Sequence, residues 1–109
     1  MATISLNIYS KENKQKVAKV LKVDGYDLMM GTVEDFVSII DVDKLNDKIE
    51  VTKMVLKGFD QIKPLLMDIF PELTAEDFRN IKVNELVVTI TQIGHAVVES
   101  MGVLKSGKN

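Results

Sequence analysis

The sequence contains no cysteine, which removes disulfides, thiol catalysis and cysteine-based zinc sites together. It contains one histidine, His95, so there is no imidazole pair for a metal site and no second imidazole for a proton relay. Arginine is nearly absent, with Arg79 alone among 14 basic residues. No glycine-rich phosphate loop is present: Gly25 and Gly31 are isolated, and neither leads into a lysine–serine pair. No apolar run approaches the roughly 20 residues that cross a bilayer. The opening Met1-Ala2-Thr3-Ile4-Ser5 lacks the charged-then-apolar layout of a signal peptide. Together these absences argue against an enzyme, a metal or organic cofactor and a membrane protein, and the cytoplasm is the expected compartment.

What remains has the proportions of one folded domain. The chain has 109 residues, 46% of them hydrophobic and 28% charged, enough for a single modest core and too apolar for disorder throughout. The net charge of −2 supplies no field that would draw the chain to nucleic acid or an anionic membrane.

Thr3 to Tyr9 alternate, with Ile4, Leu6 and Ile8 on one side and Ser5 and Asn7 on the other, the period of a strand with one buried face. After a lysine-rich stretch, Val17 to Val23 reads either as a returning strand or as part of a helix beginning near Lys11. The hairpin over 3–23 is preferred, because a lone first strand would leave its backbone groups unpaired. Asp24-Gly25 reads as a turn. Helical spacing then predicts a helix over about 28–41, with Thr32 as cap, Glu34 and Asp35 in the first turn, and Val33, Phe36, Val37 and Ile40 as its stripe. A longer helix is expected over 47–70, opened by Asp47 and Glu50 at capping-box spacing. Its stripe is Val51, Met54, Val55, Phe59, Ile62, Leu65, Leu66 and Ile69, with Lys53, Lys57, Asp60 and Asp68 on the far side. Gly58 and Pro64 interrupt it, and the proline should bend or split it. Phe70-Pro71 stops it, Thr74 to Asp77 cap a short helix over 75–81, and a last helix runs over 84–102. The expected fold is therefore α+β and mainly α: an N-terminal β-hairpin followed by a bundle of about four helices, one domain over 1–104, with 105–109 a loose polar tail.

No catalytic constellation emerges. His95 falls on the polar side of its helix and reads as a surface histidine. Asp41 and Asp43, or Glu34 and Asp35, are more simply caps and dipole partners than acid–base pairs. Asp41 to Asp47 begins like a calcium loop but lacks its central glycine and terminal glutamate. The lysines at 11, 14, 16, 19 and 22 have neither arginine nor stacking aromatics beside them except Tyr9, and read as a solvated hairpin edge rather than a nucleic-acid surface.

The informative feature is surplus apolar character. From Val83 to Leu104 only Glu85 and Glu99 are charged, fewer than a helix with one wet face normally carries. Val88 and Ala96 add apolar side chains away from its main stripe, and Leu56 and Met67 lie beyond the core arc of the preceding long helix. Five methionines follow Met1, at 29, 30, 54, 67 and 101, a residue suited to surfaces that accept several apolar shapes. Leu56, Met67, Val88 and Met101 are the expected partner contacts, serving partner binding or self-association.

Several phrases, in order, resemble the tail assembly chaperones of siphophages and prophages of Gram-positive bacteria. They are Ile4 to Ser10, Gly25-Tyr26-Asp27-Leu28 with Gly31 to Phe36, Lys63-Pro64 through Phe70-Pro71-Glu72-Leu73-Thr74, and Ile81 to Leu86. The resemblance implies a chaperone that binds the tape measure protein, a long apolar helical chain. Such a protein keeps its partner soluble while tail tube subunits are recruited, and is absent from the finished virion. It also implies a frameshift-extended second product. The ending Gly107-Lys108-Asn109 permits a slippery A-AAA-AAC run in its codons, though synonymous codons would remove it. The alternatives are a structural subunit such as a head–tail connector, or a bacterial protein-binding adaptor.

Overall fold

The computed structural model describes residues 3–106, with side chains for residues 3–100. Strand β1 (Thr3–Tyr9) and strand β2 (Val17–Asp24) form an antiparallel hairpin. The helices α1 (Met30–Ile39), α2 (Lys48–Lys57), α3 (Phe59–Ile69), α4 (Ala75–Phe78) and α5 (Val83–Ser106) follow it. The fold is α+β and mainly helical, with the hairpin at its N-terminal end, as the alternation of Ile4, Leu6 and Ile8 requires. Those three side chains are buried, together with Leu21 across the ladder. The register shifts between Ile8 and Tyr9, which leaves Ala18 as the extra residue of a bulge. The connecting loop is tied by Ser10 Oγ, which accepts from the amides of Glu12 and Asn13, and by the Ser10 amide donating to the Lys16 carbonyl.

A two-stranded hairpin is marginal by itself, and α5 is what makes this one a building block. Ser5 donates its amide to Gln92 Oε1 at 3.2 Å and accepts at its carbonyl from the Thr89 hydroxyl at 2.8 Å. Glu85 takes the Tyr9 hydroxyl at 2.6 Å and the Asn7 amide nitrogen at 3.2 Å. Glu85, Thr89 and Gln92 have i, i+4, i+7 spacing, so one polar stripe of α5 lies along β1. A neighbouring stripe, with Leu86, Ile90, Ile93 and Val97, enters the core. Leaving a fully buried backbone group unpaired costs about 1–3 kcal/mol; the half-buried Ser5 carbonyl would lose part of that, so each link in this stripe matters.

Helix α3 packs on α1, and α2 on α5. The single helix expected over 47–70 is thus two helices, and the break falls at Gly58 rather than Pro64. Gly58 ends α2 by donating to the Met54 carbonyl, and its own carbonyl starts α3 by accepting from Gln61 and Ile62. A Cβ there would lie 3.0 Å from Ile39 Cγ2 on α1, so the turn is placed where α1 comes closest. Pro64 sits inside α3 and forfeits one backbone hydrogen bond without ending it.

Other expectations shift in the same way. Helix α1 begins at Met30, with no side-chain cap at Met29 and no acidic residue in its first turn. Thr32 is buried instead, and its hydroxyl donates to Asp68 of α3 at 2.5 Å. Val37 and Phe59, assigned to core stripes, are exposed, while Ala96, assigned to surface, is buried. Phe59 leans on Phe78 with ring centroids 5.2 Å apart. Asp47 caps α2 through the amides of Ile49 and Glu50, and the Glu50 carboxylate pairs with Lys53 at 3.6 Å. Asp41 caps a 3-10 turn over Val42–Lys44. Thr74 and Asp77 form the expected reciprocal capping box, but α4 stops at Phe78. Helix α5 starts at Val83 and carries Lys105 and Ser106, which the sequence reading assigned to the tail. Residues 107–109 of that tail lie outside the described residues.

Two glycines give opposite expectations. At Gly94, on α5, a Cβ would stand 2.5 Å from Leu45 Cδ2, so Gly94→Ala should cost about 1–3 kcal/mol through overpacking. At Gly31, on α1, a Cβ would meet nothing within 4 Å, so Gly31→Ala should gain roughly 0.5–1 kcal/mol. Urea denaturation of the two variants checks both signs. Acid stability should turn on Asp77. Burial pushes its carboxyl up, but hydrogen bonds from Lys19 and Thr74 outweigh this and hold it below its ordinary 3.8. Its folded pKa is depressed, so its contribution is complete above that value and is lost as pH falls through the folded one. Asp77→Asn should therefore melt lower at neutral pH and show a weaker loss of stability on acidification in a pH series of thermal melts.

Candidate functional site

The side chains that could meet a partner are those the closed core leaves out. Leu56, at the C-terminal end of α2, is 59% exposed. It shares its face with Ile49, one heptad earlier and also exposed. On α5, Val88 is 49% exposed, and His95 stands one heptad further along the same outward stripe. A shallow cavity of about 260 Å³ lies between the start of α2 and this stripe, lined by Leu45, Asn46, Lys48, Val87, Val88, Thr91, Gln92 and His95. Helix α5 thus has three duties around its circumference: one stripe for the core, one for β1 and one facing outward.

This division explains part of the low charge of α5. Glu85, Thr89 and Gln92 are spent on β1, and among the described residues Val88, His95 and Glu99 lie on an exposed stripe, with Val83 and Val98 exposed beside it. The scarcity of charge on α5 therefore bears on its outward stripe rather than on the whole helix. Met67 differs from Leu56 and Val88: it is half-buried on α3 and packs against the core. Met101 lies outside the residues whose side chains are described.

The most exposed apolar side chains fall on a segment that was not among the expected contacts. Met29 is 73% exposed and Met30 70%, and the neighbouring Tyr26 is exposed as well. They occupy the entry to α1, after a 3-10 turn over Gly25–Asp27 in which Asp24 accepts from the Tyr26 amide. The turn itself packs against α5. The adjacent pair of methionines is the signal in the sequence, and it was legible only as composition until α1 proved to begin beyond Met29.

The polar contacts between β1 and the start of α5 are structural. Tyr9 donates to Glu85, and this bond, with burial and the nearby negative charge, raises the phenol above its ordinary value. That shift holds the hydroxyl protonated, the opposite of an activated phenolate. Lys82 stands 4.3 Å from the centre of the Tyr9 ring, fastening the base of α5 to β1. Among the described residues no three histidines or carboxylates are grouped to hold a metal ion, and no helix is long and apolar enough to cross a membrane. The lysines of the hairpin are partly spent inside the fold, Lys11 on Glu76 at 2.9 Å and Lys19 on Asp77 at 2.7 Å. Comparison with known proteins finds no matching family model, no matching curated protein and no matching solved structure.

Proposed function

We propose that this chain is a tail assembly chaperone of a long-tailed phage or prophage, which binds and solubilises the tape measure protein and helps recruit tail tube subunits. The observation that carries the reading is the surplus of apolar side chains, Ile49 and Leu56 on α2, Val88 on α5, and Met29 and Met30, outside a core that closes without them. The ordered phrases from Ile4 to Leu86 support the choice of this family over other binding proteins. Exposed leucine, isoleucine, valine and methionine on helices suit an apolar helical partner, because such surfaces read shape and burial rather than a sequence code. Modest affinity per contact suffices when many copies coat one long chain. On this reading the protein acts in the host cytoplasm, leaves before the virion is complete, and engages tail tube protein in a frameshift-extended form.

Co-expression with the tape measure protein encoded beside it provides the test. The partner should be soluble only in this chain's company, and Leu56→Asp and Val88→Asp should each abolish that effect while melting within a few degrees of wild type. Met67→Asp, by contrast, should lower the melting temperature by placing a charge against the core. An unaffected partner, with this protein present in purified virions, would replace the chaperone reading with that of a structural subunit.

A further inference from the structure

Sulfur occurs in this chain only as methionine, because there is no cysteine. No thiol of its own competes for an oxidant or returns electrons to an oxidised side chain. The methionines whose side chains are described sit in two kinds of surroundings. Met54 and Met67 are half-buried and pack against the core. The Met54 sulfur also accepts the Asp41 amide at 3.2 Å, which occupies a lone pair that an oxidant would take. Met29 and Met30, by contrast, are 73% and 70% exposed. The Met29 side chain makes no capping hydrogen bond to α1, so the helix start does not hold it. The ground beside them is open as well, since a Cβ at Gly31 would meet nothing within 4 Å.

We propose that Met29 and Met30 form a peroxide-reactive modification site, and that their conversion to methionine sulfoxide releases an apolar partner without unfolding the domain. A methionine sulfur lone pair attacks one oxygen of hydrogen peroxide. The S–O bond forms as the O–O bond breaks, and the second oxygen leaves as water once solvent has relayed the proton. Sulfur loses two electrons and the peroxide gains them. Reversal takes a methionine sulfoxide reductase with a dithiol donor, which becomes a disulfide as the sulfoxide oxygen departs in water. The release rests on the reading of Met29 and Met30 as contacts to an apolar helical chain. A sulfoxide is polar, and an apolar helix face offers no donor to its oxygen, so the contact that suited the thioether is lost.

The test treats the full chain with hydrogen peroxide, removes the peroxide, and follows each site by peptide mass spectrometry. Sulfoxide should form at Met29 and Met30 at least about tenfold faster than at Met54 and Met67. With the pair oxidised, the melting temperature should stay within a few degrees of wild type. Solubilisation of tape measure protein diluted from denaturant should fall about tenfold, and reductase treatment should restore it. The double variant Met29→Leu, Met30→Leu keeps the apolar volume, and should solubilise the partner equally before and after peroxide. Equal oxidation rates at the four sites, or a double variant that loses the partner on oxidation as wild type does, overturns the proposal. If the untreated chain fails to solubilise the partner, the functional reading falls and the release with it, while the order of oxidation rates still decides the modification site. If the untreated and the pair-oxidised chain solubilise it equally, the functional reading stands and the proposal falls.

Discussion

The outer edge of β1 meets a helix instead of a third strand, and most of the architecture follows from how that edge is satisfied. A two-stranded sheet in water exposes both its margins. Here Thr89 and Gln92 supply from a helix the donor and the acceptor, respectively, that a neighbouring strand would have given to Ser5, while the Asn80 carbonyl accepts from the Tyr9 amide at 2.9 Å. This fixes α5 against the hairpin, brings Ile90 and Ile93 into one core with Leu6 and Phe36, and sets which stripe of α5 is left facing outward. The lysine-bearing β2 keeps the other edge of the sheet, a composition that discourages pairing with a further strand.

The functional reading depends on the same geometry. Once two stripes of α5 are committed, Val88, His95 and Glu99 are left facing outward, with Val98 beside them. Once α2 has turned Val51 and Val55 inward, Ile49 and Leu56 have no place in the core. Splitting α2 from α3 at Gly58 also lets α3 pair with α1. A small scaffold thereby presents adaptable apolar surface in more than one direction, which is what coating an elongated helical chain would demand.

Much of the fold was legible because local periodicity governs it. Ile4, Leu6 and Ile8 announced a strand, Thr74 and Asp77 a capped helix, and the apolar repeat of Leu86, Ile90, Ile93 and Val97 a core-facing one. The misses came where a distant residue decided the outcome. Gly58 outranks Pro64 as the break because Ile39 needs the room, and nothing near Gly58 in the sequence says so. Thr32 looks like a cap until Asp68 is brought beside it. Ala96 and Phe59 exchanged their expected environments because the helical wheel gives a residue's angle and not its neighbours. At the candidate site, Leu56 and Val88 were readable as surplus to a stripe, whereas Met67 was not distinguishable from them without knowing how α3 packs. Glu85, Thr89 and Gln92 carried a visible i, i+4, i+7 spacing, but their partners, the backbone of Ser5 and the side chains of Asn7 and Tyr9, lie some eighty residues away.

The central claim is that the exposed apolar side chains are contact surface and the buried ones are not. Methyl-resolved NMR of the labelled protein, free and in complex with the tape measure protein, tests it most directly. The account predicts that methyl signals of Met29, Met30, Ile49, Leu56 and Val88 shift or broaden while those of Ile4, Ile62 and Ile90 stay in place. Movement of the core signals with the exposed ones unchanged would contradict it.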